Sequence, residues 1–264
     1  MKLGYQWFGS VPVAVAIALL TLAQPISSSE VTGNIRFPVE HIEDRLAGPI
    51  TVLEIERARP KIEEDRSIRL VLAGDHGKPE LKAKLKPVGR PAQGFNNEPR
   101  YELAAYALQK LFLEECEYVV PPIVLRATTL EEYQDLGMVG AATLHGTNSV
   151  LFLLSYWLED VTNVGVWNAE RFAYDPRYAR HWGNLNTFTH LIQHKDANIG
   201  NLLISTNPED PRVFAVDNDV SFGSERSDRS DKWKKMLVDR LPATTIERLK
   251  TVTRADLDQA LGVL

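Results

Sequence analysis

The sequence predicts an α+β fold in which a strand-rich half with one main helix precedes a mostly helical half. Three observations lead to it. Short β-type runs separated by turn residues recur between residues 66 and 158, interrupted by one helical pattern at 99–112. Helical periodicity then takes over. In "RHWGNLNTFTHLI", Trp182, Leu185, Phe188, Leu191 and Ile192 fall at helix spacing, and the tail from Asp231 is helical in pieces. Finally, 264 residues with 44% hydrophobic content can bury a core as one domain, or as two lobes around one cleft.

The N-terminus reads as a signal peptide over 1–23. "MKLGYQWFGS" has one Lys and no acid, and the uncharged run Val11–Ala23 falls short of the about 20 residues a bilayer span needs. It breaks at "QPISSSE", so cleavage after Ala23 is expected and the mature chain would be secreted or periplasmic, with no stable membrane span. An uncleaved anchor is the alternative. The single cysteine, Cys116, excludes an intrachain disulfide and a Cys-based metal site, and an exported chain without disulfides suits a bacterial periplasm. A net charge of −5 offers no basic field for nucleic acid. Residues 24–150 would form an N-terminal extension and the strand-rich part, and 151–264 the helical part.

The elements follow in order. "ITVLEIE" is β-type, though residues 31–60 are otherwise uninformative and end in the charged "RARPKIEEDR". "RSIRLVLAG" reads as a strand, "GDHGK" as a turn holding Gly74 and Gly77, and the alternating "PELKAKLKPV" as the returning strand. After the loop "GRPAQGFNNEP", a helix starts with Pro99 in its first turn and Asn97 placed as a cap. "YVVPPIVLRA" and "SVLFLLSYWL" are further strands, the second buried. "NLLIST" and "RVFAV" are joined by "NPEDP" and so form a hairpin, and Thr253 is placed to cap the helix in "TRADLDQAL".

That hairpin concentrates the polar residues. An antiparallel hairpin sets the start of its first strand beside the end of its second. Asn201 opens the first and Asp217 closes the second, so the two should be neighbours, with Asp196 in the preceding loop. An amide oxygen beside a carboxylate suits a hard cation such as Mg²⁺. A second carboxylate nearby can take a proton from an attacking hydroxyl. His194, Lys195, Asp196 and Asn201 have the spacing of the kinase catalytic-loop signature H-R-D-x-x-x-x-N, and Asp217 stands where the D-F-G aspartate follows.

Upstream lie Lys86-Pro87, then Glu102 with Leu103-Ala104-Ala105-Tyr106, then Val120-Pro121-Pro122; "VDNDVSFG" follows the hairpin. As a set of short motifs over residues 66–225, these resemble the secretory-pathway kinases of the Golgi casein kinase and four-jointed group. The resemblance implies a bilobal protein-kinase-like fold, belonging to a bacterial relative of that group. It implies a phosphotransferase that binds ATP and Mg²⁺, with Mn²⁺ as a substitute, and transfers a phosphoryl group to a protein, glycan or lipid hydroxyl. By position, Lys86 would contact the α/β-phosphates, and Glu102 would pair with that lysine or help hold metal. Asp196 would act as base, and Asn201 and Asp217 would ligate the metal. The turn with Gly74 and Gly77 would cover the phosphates, and Tyr156, Trp157 and Leu158 would form the hinge against the adenine. The sequence departs from the pattern at Asp219, which replaces the Gly of D-x-G, and the family's cysteines are absent. The 47 residues after Asp217 hold no A-P-E element, so a peptide-docking platform and an activation-loop switch are not expected.

Other readings compete. Lys82, Lys84 and Lys86 form a stripe of the kind that is ordinarily solvated, and Lys84 rivals Lys86 as the phosphate lysine. Glu102 in a first helical turn already suits the helix dipole, and Asp217-Asn218-Asp219 alone would be a turn. Asp219 keeps open a catalytically impaired pseudokinase that binds a partner or a nucleotide. His190 and His194, four apart on one helix face, invite a metal-dependent hydrolase with Asp196, but "HLIQH" lacks the Glu of H-E-x-x-H, and His194 more simply braces the loop. Trp157, Trp182 and Phe188 read most simply as core, and Cys116 has no activating context.

Overall fold

The computed structural model describes residues 33–57, 67–74, 80–88, 99–194, 199–222 and 237–262. The signal-peptide segment, the Asn97 cap, Gly77 and Asp196 lie outside them. The architecture is α+β and mainly antiparallel. Five strands, β1 (Val52–Arg57), β2 (Ile68–Leu72), β3 (Leu81–Pro87), β4 (Ile123–Thr129) and β5 (Ser149–Tyr156), form one sheet in the order β1-β2-β3-β5-β4. A smaller sheet holds β6 (Val161–Thr162), β7 (Leu202–Ser205) and β8 (Val213–Ala215) in chain order.

Alternation explains the large sheet. On β3, Leu81, Ala83 and Leu85 point to the back, where they join Leu70 of β2, Phe152 and Leu154 of β5, and Ile42 and Leu46 of helix α1 (Val39–Ala47). Arg126 of β4 closes the end of α1 by donating to the carbonyls of Leu46 and Gly48. Helix α1 lies in the stretch that sequence patterning left without an element. Its apolar positions Val39, Ile42 and Leu46 are interrupted by Arg45, and its preceding residue, Pro38, makes no side-chain cap.

A second core lies in front of the sheet. Helix α2 (Pro99–Gln109) contributes Ala105 and Leu108, β4 and β5 contribute Ile123 and Leu153, and β7 and β8 contribute Leu202 and Ala215. The helical pattern at 99–112 thus stops as a helix at Gln109, whose amide pins the next segment: it accepts from the Val119 and Val120 N–H groups and donates to the Val120 carbonyl. Tyr106 and Lys110 both donate to Glu43 of α1, so the back helix braces the front one. Two short helices were not legible in sequence: α3 (Leu130–Asp135), which has a Thr129/Glu132 capping box, and α4 (Ala169–Tyr174).

Helix α5 (Pro176–Leu191) starts at an Asp175 cap with Pro176 in its first turn. It buries Trp182, Leu185 and Phe188 completely, as their spacing predicts. At Gly183 a Cβ would stand 2.6 Å from the Pro242 Cδ, so glycine lets the 240–242 segment lie directly on this helix. Helices α6 (Ala243–Thr251) and α7 (Arg254–Leu261) complete the described chain, α7 with the expected Thr253 cap. Among the described residues no helix is long and apolar enough to cross a membrane.

Candidate functional site

The front face of β3 carries the lysines. Lys82 and Lys84 wall a cavity of about 870 Å³ that also meets Ile123, Trp157, Leu203 and Asp217. Two lysines of the stripe therefore line a cavity. Lys86 lies deeper and is 5% exposed.

Around Lys86 the structure gathers three carboxylates. Its Nζ stands 3.3 Å from Glu102 Oε2 and 3.6 Å from Asp217 Oδ1, and it donates a short hydrogen bond to Asp219 Oδ2. Lys84 donates to the same Asp217 carboxylate. Burial opposes the charge on Lys86, but Glu102, Asp219 and Asp217 outweigh it, so the ammonium is held well above its ordinary range and stays protonated. Burial pushes the Glu102 carboxyl up, with Lys86 pulling against it. Glu102 sits in the first turn of α2, but it is buried, so complementing the helix dipole is not its whole role.

The second wall is the β7–β8 hairpin. Leu202 pairs with Ala215, and one step further the Val216 N–H donates to the Asn201 carbonyl at 2.9 Å. The register therefore brings Asn201 beside Asp217, as the hairpin geometry requires. Asp217 has a φ of 56°, in the left-handed region that Asp tolerates better than most residues, and this turns the chain sharply out of β8. Asn218 is buried behind it and anchors the turn by donating to the Ala215 carbonyl at 3.2 Å.

The remaining expectations divide. Gly74 follows β2 by two residues, outside the cavity wall. Tyr156, Trp157 and Leu158 all line the cavity, while the Tyr156 ring packs in the back core, where its hydroxyl accepts from the Arg36 backbone N–H at 3.2 Å. Trp157 is not a core residue: its side chain is part of the cavity wall, 38% exposed, with the Arg69 guanidinium 5.1 Å from its ring centre. Its N–H is taken by the Lys82 carbonyl at 2.9 Å. Leu158 beside it is buried. Arg69 was missed in sequence, although strand alternation places it on the front face, where it pairs in register with Lys84.

The two histidines do not share a helix face. Helix α5 ends at Leu191, Gln193 takes a φ of 50°, and His194 turns inward while His190 stays exposed in the last turn. The buried His194 has its backbone N–H on the Thr189 carbonyl at 3.0 Å, which fits a bracing role just past the end of α5. Among the described residues no group of three or more His, Cys, Asp and Glu side chains is placed to hold a metal ion. No protein-family model matches the chain, and no curated protein matches it.

Proposed function

We propose that the chain is an ATP- and Mg²⁺-dependent phosphotransferase of bilobal, protein-kinase-like architecture, akin to the secretory-pathway kinases it resembles, acting outside the cytoplasm on a hydroxyl acceptor. The observation that carries this reading is the strand-to-helix pair of Lys86 and Glu102, with Asp217 3.6 Å from the Lys86 ammonium at the edge of the cavity and Asn201 beside Asp217 in the hairpin register. Four residues singled out by motif, drawn from three separate segments, meet there. That supports a common purpose more strongly than any single motif does.

The site also fits the ligands. Its volume lies in the roughly 300–1,000 Å³ span of small-molecule pockets. Ile123, Leu203 and the exposed Trp157 supply apolar surface suited to a base, and Lys82 and Lys84 supply cations suited to phosphates. Mg²⁺ prefers oxygen ligands and is commonly held by one or two carboxylates together with phosphates. Asn201 and Asp217 supply that donor set, and Mg²⁺ bound there would neutralise phosphate charge. Asp196, five residues before Asn201 in sequence, would serve the acceptor as its base. Glu102 keeps Lys86 in place and holds α2 against the sheet.

The test is calorimetric titration of the full chain with ATP, with and without Mg²⁺. Tight binding that needs Mg²⁺ is expected, and Asp217→Ala should weaken it at least about tenfold while circular dichroism stays unchanged. No binding, or unchanged affinity in the variant, would sink the reading. One observation favours the catalytically impaired alternative: Asp219 takes up the Lys86 ammonium. Mg²⁺-dependent binding with no γ-phosphate turnover across protein, glycan and lipid acceptors would select that alternative.

A further inference from the structure

We infer that Lys84, not Lys86, is the lysine that meets the phosphates, and that Lys86 is a positioning residue locked between Glu102 and Asp219. The inference rests on the nucleotide reading above. An ammonium has three N–H donors. Around Lys86 two buried carboxylates engage the ammonium, Glu102 at 3.3 Å and Asp219 in a short hydrogen bond, while Asp217 stands further off at 3.6 Å. The Lys86 side chain is 6% exposed and takes no part in the cavity wall. To reach a phosphate it would have to leave Glu102 or Asp219, each equally buried, without a counter-charge.

Lys84 is differently placed. Two residues earlier on the same face, it stands about 7 Å along the strand from Lys86. It walls the cavity, and its side chain is 25% exposed. Among the described residues its ammonium meets one carboxylate, Asp217, the residue also expected to hold the cation. The Lys84–Asp217 pair is thus the contact that binding would exchange: Asp217 would turn to the cation and Lys84 to a phosphate oxygen. Asp219 makes the division of labour possible. A glycine there would leave Lys86 without its shortest partner, whereas the carboxylate holds the ammonium beside Glu102.

The experiment compares ATP, ADP and adenosine, each titrated calorimetrically with Mg²⁺ into the wild-type full chain and its variants. In Lys84→Met the preference for ATP over adenosine should fall by at least about tenfold, with adenosine affinity unchanged, and Lys84→Arg should restore it. Lys86→Met alone strands buried carboxylates, so the matching variant is the neutral triad Lys86→Met/Glu102→Gln/Asp219→Asn. It should weaken all three ligands alike and keep the ATP-to-adenosine ratio within about threefold. A ratio untouched by Lys84→Met, or one lost in the neutral triad, overturns the inference while leaving the nucleotide reading intact. A wild-type chain that binds none of the three overturns both. Should the triad fail to fold, the Lys84 pair of variants decides by itself.

Discussion

The two faces of β3 are closed to solvent by opposite means. On the back, Leu81, Ala83 and Leu85 are at most 1% exposed and pack against α1 and the neighbouring strands. On the front, the lysines become more enclosed along the strand until Lys86 is as buried as a core residue. The back face gains roughly 25 cal/mol for each Å² of apolar surface removed from water. The front face gains nothing comparable, because attraction between buried charges mostly offsets their desolvation. A strand that needed only stability would carry apolar residues on both faces. The comparison therefore marks the front of β3 as the face shaped for binding and the back as the face that holds it still.

Predictions can break that comparison. The largest effect is expected for Lys86→Met, which leaves Glu102 and Asp219 buried without their cation and should cost about 3–5 kcal/mol in urea unfolding. The back-face counterpart, Leu85→Ala, should cost about 2–5 kcal/mol through the cavity it leaves. The two differ in whether they can be repaired. Adding Glu102→Gln and Asp219→Asn to Lys86→Met should recover most of the loss, since no buried charge is then left unpaired. A Lys86→Met loss below about 1 kcal/mol would mean the front face is not electrostatically closed.

A second buried base sharpens the point from the other side. His181 in α5 is largely enclosed, and burial, with Arg212 and Arg180 nearby, lowers it to about 4 against the pull of Asp175. Its folded value lies below its ordinary 6.5, so as pH falls the unfolded chain takes up the proton first. The stability present above 6.5 should therefore be lost between there and about 4, at up to about 1.4 kcal/mol per pH unit. Urea midpoints at pH 7.5 and 5 would register this, and His181→Gln should flatten the difference; a slope unchanged in the variant would remove His181 as its source. The smallest effect is expected away from both faces. Thr253→Ala removes one half of the capping box of α7 and should cost about 1 kcal/mol, read as a shift in thermal midpoint.

Much of the fold was legible, and the reasons are local. The β2–β3 and β7–β8 hairpins have alternating or β-rich runs bounded by turn residues, and α5 has long, strict periodicity behind an Asp-Pro start. Short or interrupted elements escaped: α1 breaks its apolar stripe at Arg45, and α3 spans less than two turns. That Asn201 lies beside Asp217 was legible from hairpin geometry, and Lys86 and Glu102, singled out by motif, lie together beside it. Trp157 was read both as a hinge residue and as core, and its place on the cavity wall agrees with the first and not the second. The histidine pair was misread because helix periodicity was extended past Leu191, where the chain turns.

By itself, then, the sequence determined which residues share a face of β3 and that Asn201 meets Asp217. Both follow from backbone periodicity and a short turn, which act over a few residues. Only the tertiary structure decided that Lys86 is enclosed by Glu102 and Asp219 while Lys84 is left at the cavity wall. Lys86 and Asp219 are 133 positions apart, and their contact exists only because the tertiary packing brings α2, β3 and the end of the hairpin together. Alternation can place three equivalent lysines on a face, but the shape of what packs over them makes them different.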